Sequence, residues 1–388
     1  MRLHRRHFLL ASTATVLTTV LPARAGVPGV DDARVLFGQS CALEGPARAL
    51  GRGMKAGLEL AFAEANAEGG VHGRRLELVS YDDGYEPEKA IANTRRLIER
   101  DGVFALVGEV GTPTSKAVVP LAVEAGVPFL APFTGAQLLR EPFRREVVNV
   151  RASYFQETET LVDHFVRGKG YTRIAVFYQD DSYGRAGREG VRRALERRGT
   201  SIAGEGTYER NTLRVKRGLV AVRRSRPQAV IMIGAYAPCA EFIRLARRIG
   251  LEAEFANVSF VGTRALTEAL GAAGKGVVVS QVVPFPEDTS VPLVAAYHRA
   301  LARFDGGEPG FVSLEGYMAG RLVVEALRRA GRALDRARFL KAIYEGGPFD
   351  LGGVTLTYGA GDNQGMDLVF LTELDGRGGV RPLLRAAG

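Results

Sequence analysis

Phe104-Ala-Leu-Val-Gly-Glu-Val-Gly-Thr-Pro113 and Val230-Ile-Met-Ile-Gly-Ala-Tyr-Ala-Pro238 are built alike. Each is an apolar strand, a Gly at its C-terminal end, a short turn, and Pro at the first helical position, where a missing N–H costs nothing. Around the first, strand Val35-Leu36-Phe37 leads to a helix from about Arg48 to Ala67, and strand Leu76 to Tyr81 leads to a helix from Glu86 to Arg100. Strand Val103 to Val107 then leads to a helix from Pro113 to Ala125 and strand Pro128 to Ala131. Around the second run helix Glu157 to Val166, strand Ile174 to Tyr178, helix Gly184 to Arg198, strand Ile202 to Tyr208 and helix Val215 to Arg224. Strand Ala229 to Ile233, helix Pro238 to Ile249, and strands Phe255 to Val261 and Val277 to Val283 complete that series. Apolar runs alternating with helical periods mark βα units on a parallel sheet, so the chain reads as two α/β lobes. Helical stretches Val291 to Phe304, Leu314 to Ala330 and Asp335 to Tyr344 come too late to cover the second sheet alone and are expected to return to the first lobe. In open α/β sheets ligands bind at the carboxyl ends of strands, so paired lobes facing each other enclose a cleft.

The 388 residues give room for two or three cores, and 46% apolar with 24% charged residues is a globular balance that excludes wholesale disorder and a polytopic membrane protein. The formal charge of +9 falls to +5 once Arg2, Arg5, Arg6 and Arg24 of the N-terminal leader are set aside. The remainder is spread thinly, as on the helix carrying Arg185, Arg188, Arg192, Arg193, Arg197 and Arg198, which reads as a solvated face and not a nucleic-acid patch. Cys41 and Cys239 form neither a disulfide framework nor a zinc ligand set, and beyond the leader His72, His164 and His298 are scattered. No metal or cofactor is expected. Gly51-Arg-Gly53-Met-Lys-Ala56 fits the letter of a dinucleotide fingerprint but lies some fourteen residues past the first strand, inside a helix. With no Gly-x-Ser-x-Gly elbow, phosphate loop or catalytic His constellation, binding is expected, not bond-making.

Residues 1–25 divide into a basic stretch, an apolar run from Phe8 to Leu21, and Ala23-Arg24-Ala25, the small-x-small pattern of a signal-peptidase site. The run is too short to span a membrane, for which about 20 apolar residues are needed. Arg5-Arg6-His7-Phe8-Leu9 resembles a twin-arginine export signal, with an ordinary secretory signal as the alternative. The first Cys, Cys41, is too distant to accept a lipid, so a free periplasmic protein is expected.

Gly57-Leu-Glu-Leu-Ala-Phe-Ala-Glu-Ala-Asn-Ala-Glu-Gly-Gly-Val-His-Gly73, then Leu76-Glu-Leu-Val-Ser-Tyr-Asp-Asp83 and Pro87, resembles the branched-chain amino-acid-binding proteins of ABC importers. The resemblance continues through Gly102 to Gly108, Gly126-Val-Pro128, Tyr178-Gln-Asp-Asp-Ser-Tyr-Gly184 and Tyr317, from about Val35 to Leu371. It implies a type I periplasmic binding protein: two Rossmann-like, doubly wound lobes joined by three hinge crossovers, monomeric, closing on a small ligand and presenting the closed form to an inner-membrane permease. The expected lobes are 28–152 with 284–366, and 153–283 with 367–388.

Thr112 before Pro113 reads as an N-cap, beside helix N–H groups suited to a carboxylate. The resemblance places a hydroxyl residue here against the ligand's carboxylate, and the turn Ala131, Phe133, Thr134 and Gly135 beside an amino-acid head group. Tyr183 matches a tyrosine that covers the ligand on closure, and Tyr236 holds the equivalent strand end; core packing is the competing reading for both. Where the family offers an acid for the ligand's ammonium, this chain has Ser259; Glu109 is the candidate substitute, with an exposed rim glutamate as the alternative. The family's small disulfide falls on Tyr85 and Gly111, and Cys41 and Cys239 are expected in opposite lobes. An amino acid is the first ligand expected, followed by a short amide, an aromatic acid or another small carboxylate; a periplasmic sensor subunit would share the fold.

Overall fold

The computed structural model describes residues 26–383, so the leader expected at 1–25 lies outside the described residues. The first lobe carries β1 (Arg34–Cys41), α1 (Arg48–Ala67), β2 (Arg75–Asp82), α2 (Pro87–Glu99), β3 (Ala105–Val107), α3 (Thr112–Glu124), β4 (Phe129–Leu130) and β5 (Val147–Val148). Its sheet is parallel, in the order β2-β1-β3-β4-β5. The chain then crosses into α4 (Tyr154–Asp163), β6 (Ile174–Gln179), α5 (Ser182–Glu196), β7 (Gly204–Tyr208), α6 (Lys216–Arg224), β8 (Ala229–Ile233), α7 (Tyr236–Arg248), β9 (Glu254–Asn257), α8 (Thr263–Leu270) and β10 (Val278–Gln281). The parallel strands of this second sheet run β7-β6-β8-β9-β10, the order of the first sheet repeated. In each sheet the order reverses beside its first strand, and the loops flanking that point face the other lobe.

After β10 the chain returns as α9 (Pro292–Phe304), α10 (Phe311–Ala330) and α11 (Arg336–Glu345). These helices cover the first lobe: the Tyr317 hydroxyl donates to Glu64 of α1 at 2.7 Å, and Arg336 donates to the carbonyls of Phe104 and Val103, both at 2.9 Å. A short pair, β11 (Phe349–Asp350) and β12 (Thr355–Leu356), precedes a third crossing. The hairpin β13 (Phe370–Leu374) and β14 (Val380–Pro382) then adds antiparallel strands to the second sheet. Two of the crossovers are tied together: Asn149 N–H donates to Asn363 O, and Gly365 N–H to Asn149 O, each at 2.8 Å.

Three sequence expectations are corrected. The strand expected from Phe255 to Val261 stops at Asn257 and gives way to a 3₁₀ turn, Ser259–Val261. The helix expected from Glu157 begins at Tyr154, because Ser153 and Gln156 form a capping box, with Gln156 N–H donating to the Ser153 hydroxyl. Thr112 is not an N-cap: Gly111 holds that position at φ 105°, and Thr112 is the first helical residue. Gly is required at 111 on two counts, since L side chains rarely adopt that φ and a Cβ would lie 2.1 Å from Cε2 of Tyr85. The two positions of the family's disulfide are thus in contact here, with a ring in place of a bridge.

Candidate functional site

The loops at the two reversal points meet between the lobes around a set of aromatic rings. Tyr85, after β2, and Phe133, after β4, come from the first lobe; Tyr183, at the start of α5, and Phe260, after β9, come from the second; Tyr154 opens α4 at the crossover. The Phe260 ring lies 4.5 Å from Tyr183, 5.4 Å from Phe133 and 5.9 Å from Tyr85, centroid to centroid, and Tyr154 is 5.5 Å from Tyr183. All five are buried. Such spacings are those of attractive aromatic pairs, so closure of the lobes is itself favoured by ring contacts.

Polar groups gather against the rings. The hydroxyls of Thr112 and Thr134 are 2.7 Å apart, and the Tyr154 hydroxyl lies near both without making a bond of good geometry. Burial pushes the Tyr154 phenol up to about 12, so it remains a donor. Arg151, in the same crossover, is wholly buried, with its guanidinium 4.6 Å from the centroid of Phe133. Its Nε is 3.4 Å from Glu315 of α10 and its Nη2 is 4.0 Å from Glu157 of α4; Nη2 also donates to the Ser259 hydroxyl. Glu157 in turn accepts from Ser259 N–H at 2.8 Å and from the Ser280 hydroxyl at 2.7 Å. Burial drives the Glu315 carboxyl up to about 7 despite the opposing charge of Arg151.

The structure brings some of the predicted residues together and sets others apart. Thr112, Phe133, Thr134 and Tyr183 are in or against this cluster. Ala131 and Gly135 shape its backbone: Ala131 is held at φ 48°, and Gly135 O accepts the Tyr154 N–H at 2.7 Å. Ser259 is part of the clamp between Arg151 and Glu157. Glu109 is not on an exposed rim: it is buried beside Ser40 and Asp83, neither carboxyl oxygen has a partner, and burial pushes it well above the usual carboxylate range. Tyr236 stands apart from the rings and reaches across to the first lobe, where its hydroxyl accepts from Ala49 N–H at 3.5 Å. Cys41 and Cys239 are buried, unpaired thiols in opposite lobes.

Sequence reasoning missed Tyr85, Arg151, Tyr154 and Phe260, and also the outer contacts that hold the lobes together. Arg210 pairs with Glu86 at 2.7 Å, Asn211 donates to Glu86 at 2.7 Å and to Gly84 O at 3.0 Å, and Gln179 donates to the Tyr85 hydroxyl at 3.2 Å. The Gly51–Ala56 stretch lies within α1, away from any phosphate-binding turn.

Two lobes of equal topology, joined by three crossings and closed over a buried polar cluster, match a known family. A family model described as periplasmic binding protein matches residues 35–379. The chain belongs to this family. Among solved structures, that of a possible leucine/isoleucine/valine-binding protein from Rhodopirellula baltica is 39% identical to this binding protein, with a TM-score of 0.86, and covers 92% of this chain and 97% of its own. The leucine-, isoleucine-, valine-, threonine-, and alanine-binding protein of Pseudomonas aeruginosa is 25% identical over 297 residues, 74% of this chain and 76% of the relative. Leu/Ile/Val-binding protein homolog 2 of Brucella abortus is 26% identical over 341 residues, 85% of this chain and 87% of the relative. This is therefore a periplasmic substrate-binding protein of the branched-chain amino-acid type, and its relatives are solute-binding proteins and not enzymes.

Proposed function

We propose that this binding protein serves an ABC importer: it captures a small carboxylate-bearing solute, an amino acid or a related acid, between its lobes and presents the closed form to an inner-membrane permease. The observation that carries the reading is the convergence of the Thr112, Thr134 and Tyr154 hydroxyls with Arg151 beneath rings from both lobes. Buried donors of this kind are suited to a carboxylate, to which hydrogen bonds are shorter and about twice as strong as neutral ones. Thr112, Thr134 and Tyr154 hold the head group in this account, with Ala131 and Gly135 setting the turn, and Phe133 and Tyr183 covering the body. Glu109, Tyr236 and Ser259 are the further candidates. The relatives named for leucine, isoleucine, valine, threonine and alanine support the amino-acid assignment. The use of Ser259 by Arg151 and Glu157 favours a second reading, an aromatic acid or short amide.

The chain is exported with cleavage after Ala25 in this account, so the mature protein begins at Gly26, and Arg5→Lys with Arg6→Lys blocks export if the twin-arginine route carries it. Binding stabilises the native state: at about 100-fold excess over Kd the gain is about 2.7 kcal/mol. A melting screen of amino acids, short amides and aromatic acids should give at least one clear upward shift. Chemical turnover of that ligand by the pure protein would contradict the receptor reading.

A further inference from the structure

Arg151 and its neighbours leave polar atoms of both signs without partners, and, resting on the carboxylate reading proposed above, the two sets together define the rest of the head group. On the donor side, Arg151 Nη1 and the Tyr154 hydroxyl are buried without a hydrogen-bond partner. The paired Thr112 and Thr134 hydroxyls use one hydrogen between them and have one left to give. On the acceptor side stands Glu157 Oε1, wholly buried and unpartnered. The other oxygen of that carboxylate, Oε2, is committed: it accepts from Ser259 N–H at 2.8 Å and from the Ser280 hydroxyl at 2.7 Å. Arg151 Nη2, 4.0 Å from Oε1, is beyond hydrogen-bond length and donates to the Ser259 hydroxyl instead.

A buried carboxylate oxygen without a donor is costly, as is a buried donor without an acceptor, so the ligand that fits this cluster brings a group of each kind. A bare acid brings only one. It would set a third carboxylate beside the guanidinium that Glu157 and Glu315 already face, since the neighbouring guanidinium, Arg140, is spent on Ala136 O, Arg151 O and Gln364. A zwitterion adds no net charge to the buried site. With its carboxylate on Arg151 and its ammonium on Glu157, opposite charges alternate around the cluster: guanidinium, ligand carboxylate, ligand ammonium, Glu157. Glu109 also lacks partners, but the groups acting on it are Asp83 and Ser40, and none of the convergent donors is among them. Glu157, by contrast, is within electrostatic reach of both Arg151 and Tyr154.

We infer that the cleft takes the zwitterionic head group of an α-amino acid, with Glu157 Oε1 accepting the ammonium and so setting the preference for an amino acid over its deaminated acid. The test is calorimetry on the purified protein with three matched pairs: L-alanine against propanoate, L-leucine against 4-methylpentanoate, and L-phenylalanine against 3-phenylpropanoate. In every pair that binds, the amino acid should be at least tenfold tighter, the worth of one hydrogen bond to a charged group. Glu157→Gln keeps an oxygen for Ser259 and Ser280 but gives up the charge, and should cut that preference at least fivefold. A merely structural role would weaken both members of a pair alike, and that result overturns the assignment to Glu157. If Glu157→Gln does not fold, Glu157→Asp, which draws the charge back by one methylene, carries the same comparison. A deaminated acid that binds the wild type as tightly as its amino acid overturns the inference and leaves the carboxylate reading standing. Failure of all six compounds to bind at millimolar concentration overturns the carboxylate reading, and the inference with it.

Discussion

Replacing Thr112 by Val keeps the side-chain shape and deletes one hydroxyl. In the structure that hydroxyl is buried and 2.7 Å from the hydroxyl of Thr134. The direct cost to the fold is one neutral hydrogen bond, about 1 kcal/mol, or a fall of a few degrees in melting temperature. The cost to ligand binding is larger, because the bond lost is to a charged acceptor: about 1.5–3 kcal/mol, hence roughly 10- to 150-fold in Kd. Calorimetry on wild type and Thr112→Val with one carboxylate that the wild type binds measures this directly, and a melting curve checks that the variant is folded. A well-folded Thr112→Val protein whose Kd stays within about twofold of wild type would refute the placement of the carboxylate at the start of α3.

Four further outcomes are expected. Tyr183→Ala removes a ring that packs 4.5 Å from Phe260, which in turn meets Phe133 and Tyr85 of the other lobe, so dissociation should speed up by tenfold or more while association changes little, as stopped-flow fluorescence would record. Arg210→Ala breaks the outer pair with Glu86 and should raise the radius of gyration of the ligand-bound protein in X-ray scattering; an unchanged radius would mean that the pair does not hold the closed form. Gly135→Ala puts a Cβ 2.7 Å from the Tyr154 backbone nitrogen, so Tyr154 must shift, and ligand affinity should fall at least fivefold with the fold retained by circular dichroism. Burial raises the Asp83 carboxyl from 3.8 to about 6, so the native state holds that proton more tightly than the unfolded chain. The stability this contributes is full below about pH 4 and is lost as pH rises through about 6, some 3 kcal/mol for two pKa units; Asp83→Asn should flatten that decline in urea titrations.

What could be read in the sequence is what local chemistry dictates. The strand-Gly-turn-Pro stretches at 104–113 and 230–238 fixed the duplicated βα unit, because Gly and Pro act within a few residues of themselves. Thr112 and Tyr183 were legible for the same reason: each stands next to a recognisable strand end. Arg151 was not. Its partners Glu157, Ser259 and Glu315 lie on α4, on the turn after β9 and on α10, and only the crossing of the chain between lobes brings them together. Phe260 was hidden in an apolar run that reads as strand until Val258 and Gly262 turn the backbone, Gly262 at φ 78°. Tyr85 depends on the positive φ at Gly111, which no periodicity reports, and the β13–β14 hairpin is too short for alternation to stand out.

The central claim is that this periplasmic protein recognises a carboxylate buried between its lobes. Calorimetry comparing one bound acid with its own methyl ester tests it most directly, since the ester keeps the body of the ligand and removes only the charge. The account predicts one-to-one binding of the acid and at least a hundredfold weaker binding of the ester, from the loss of charge-assisted bonds to Thr112, Tyr154 and Arg151. Equal affinity for acid and ester would contradict it.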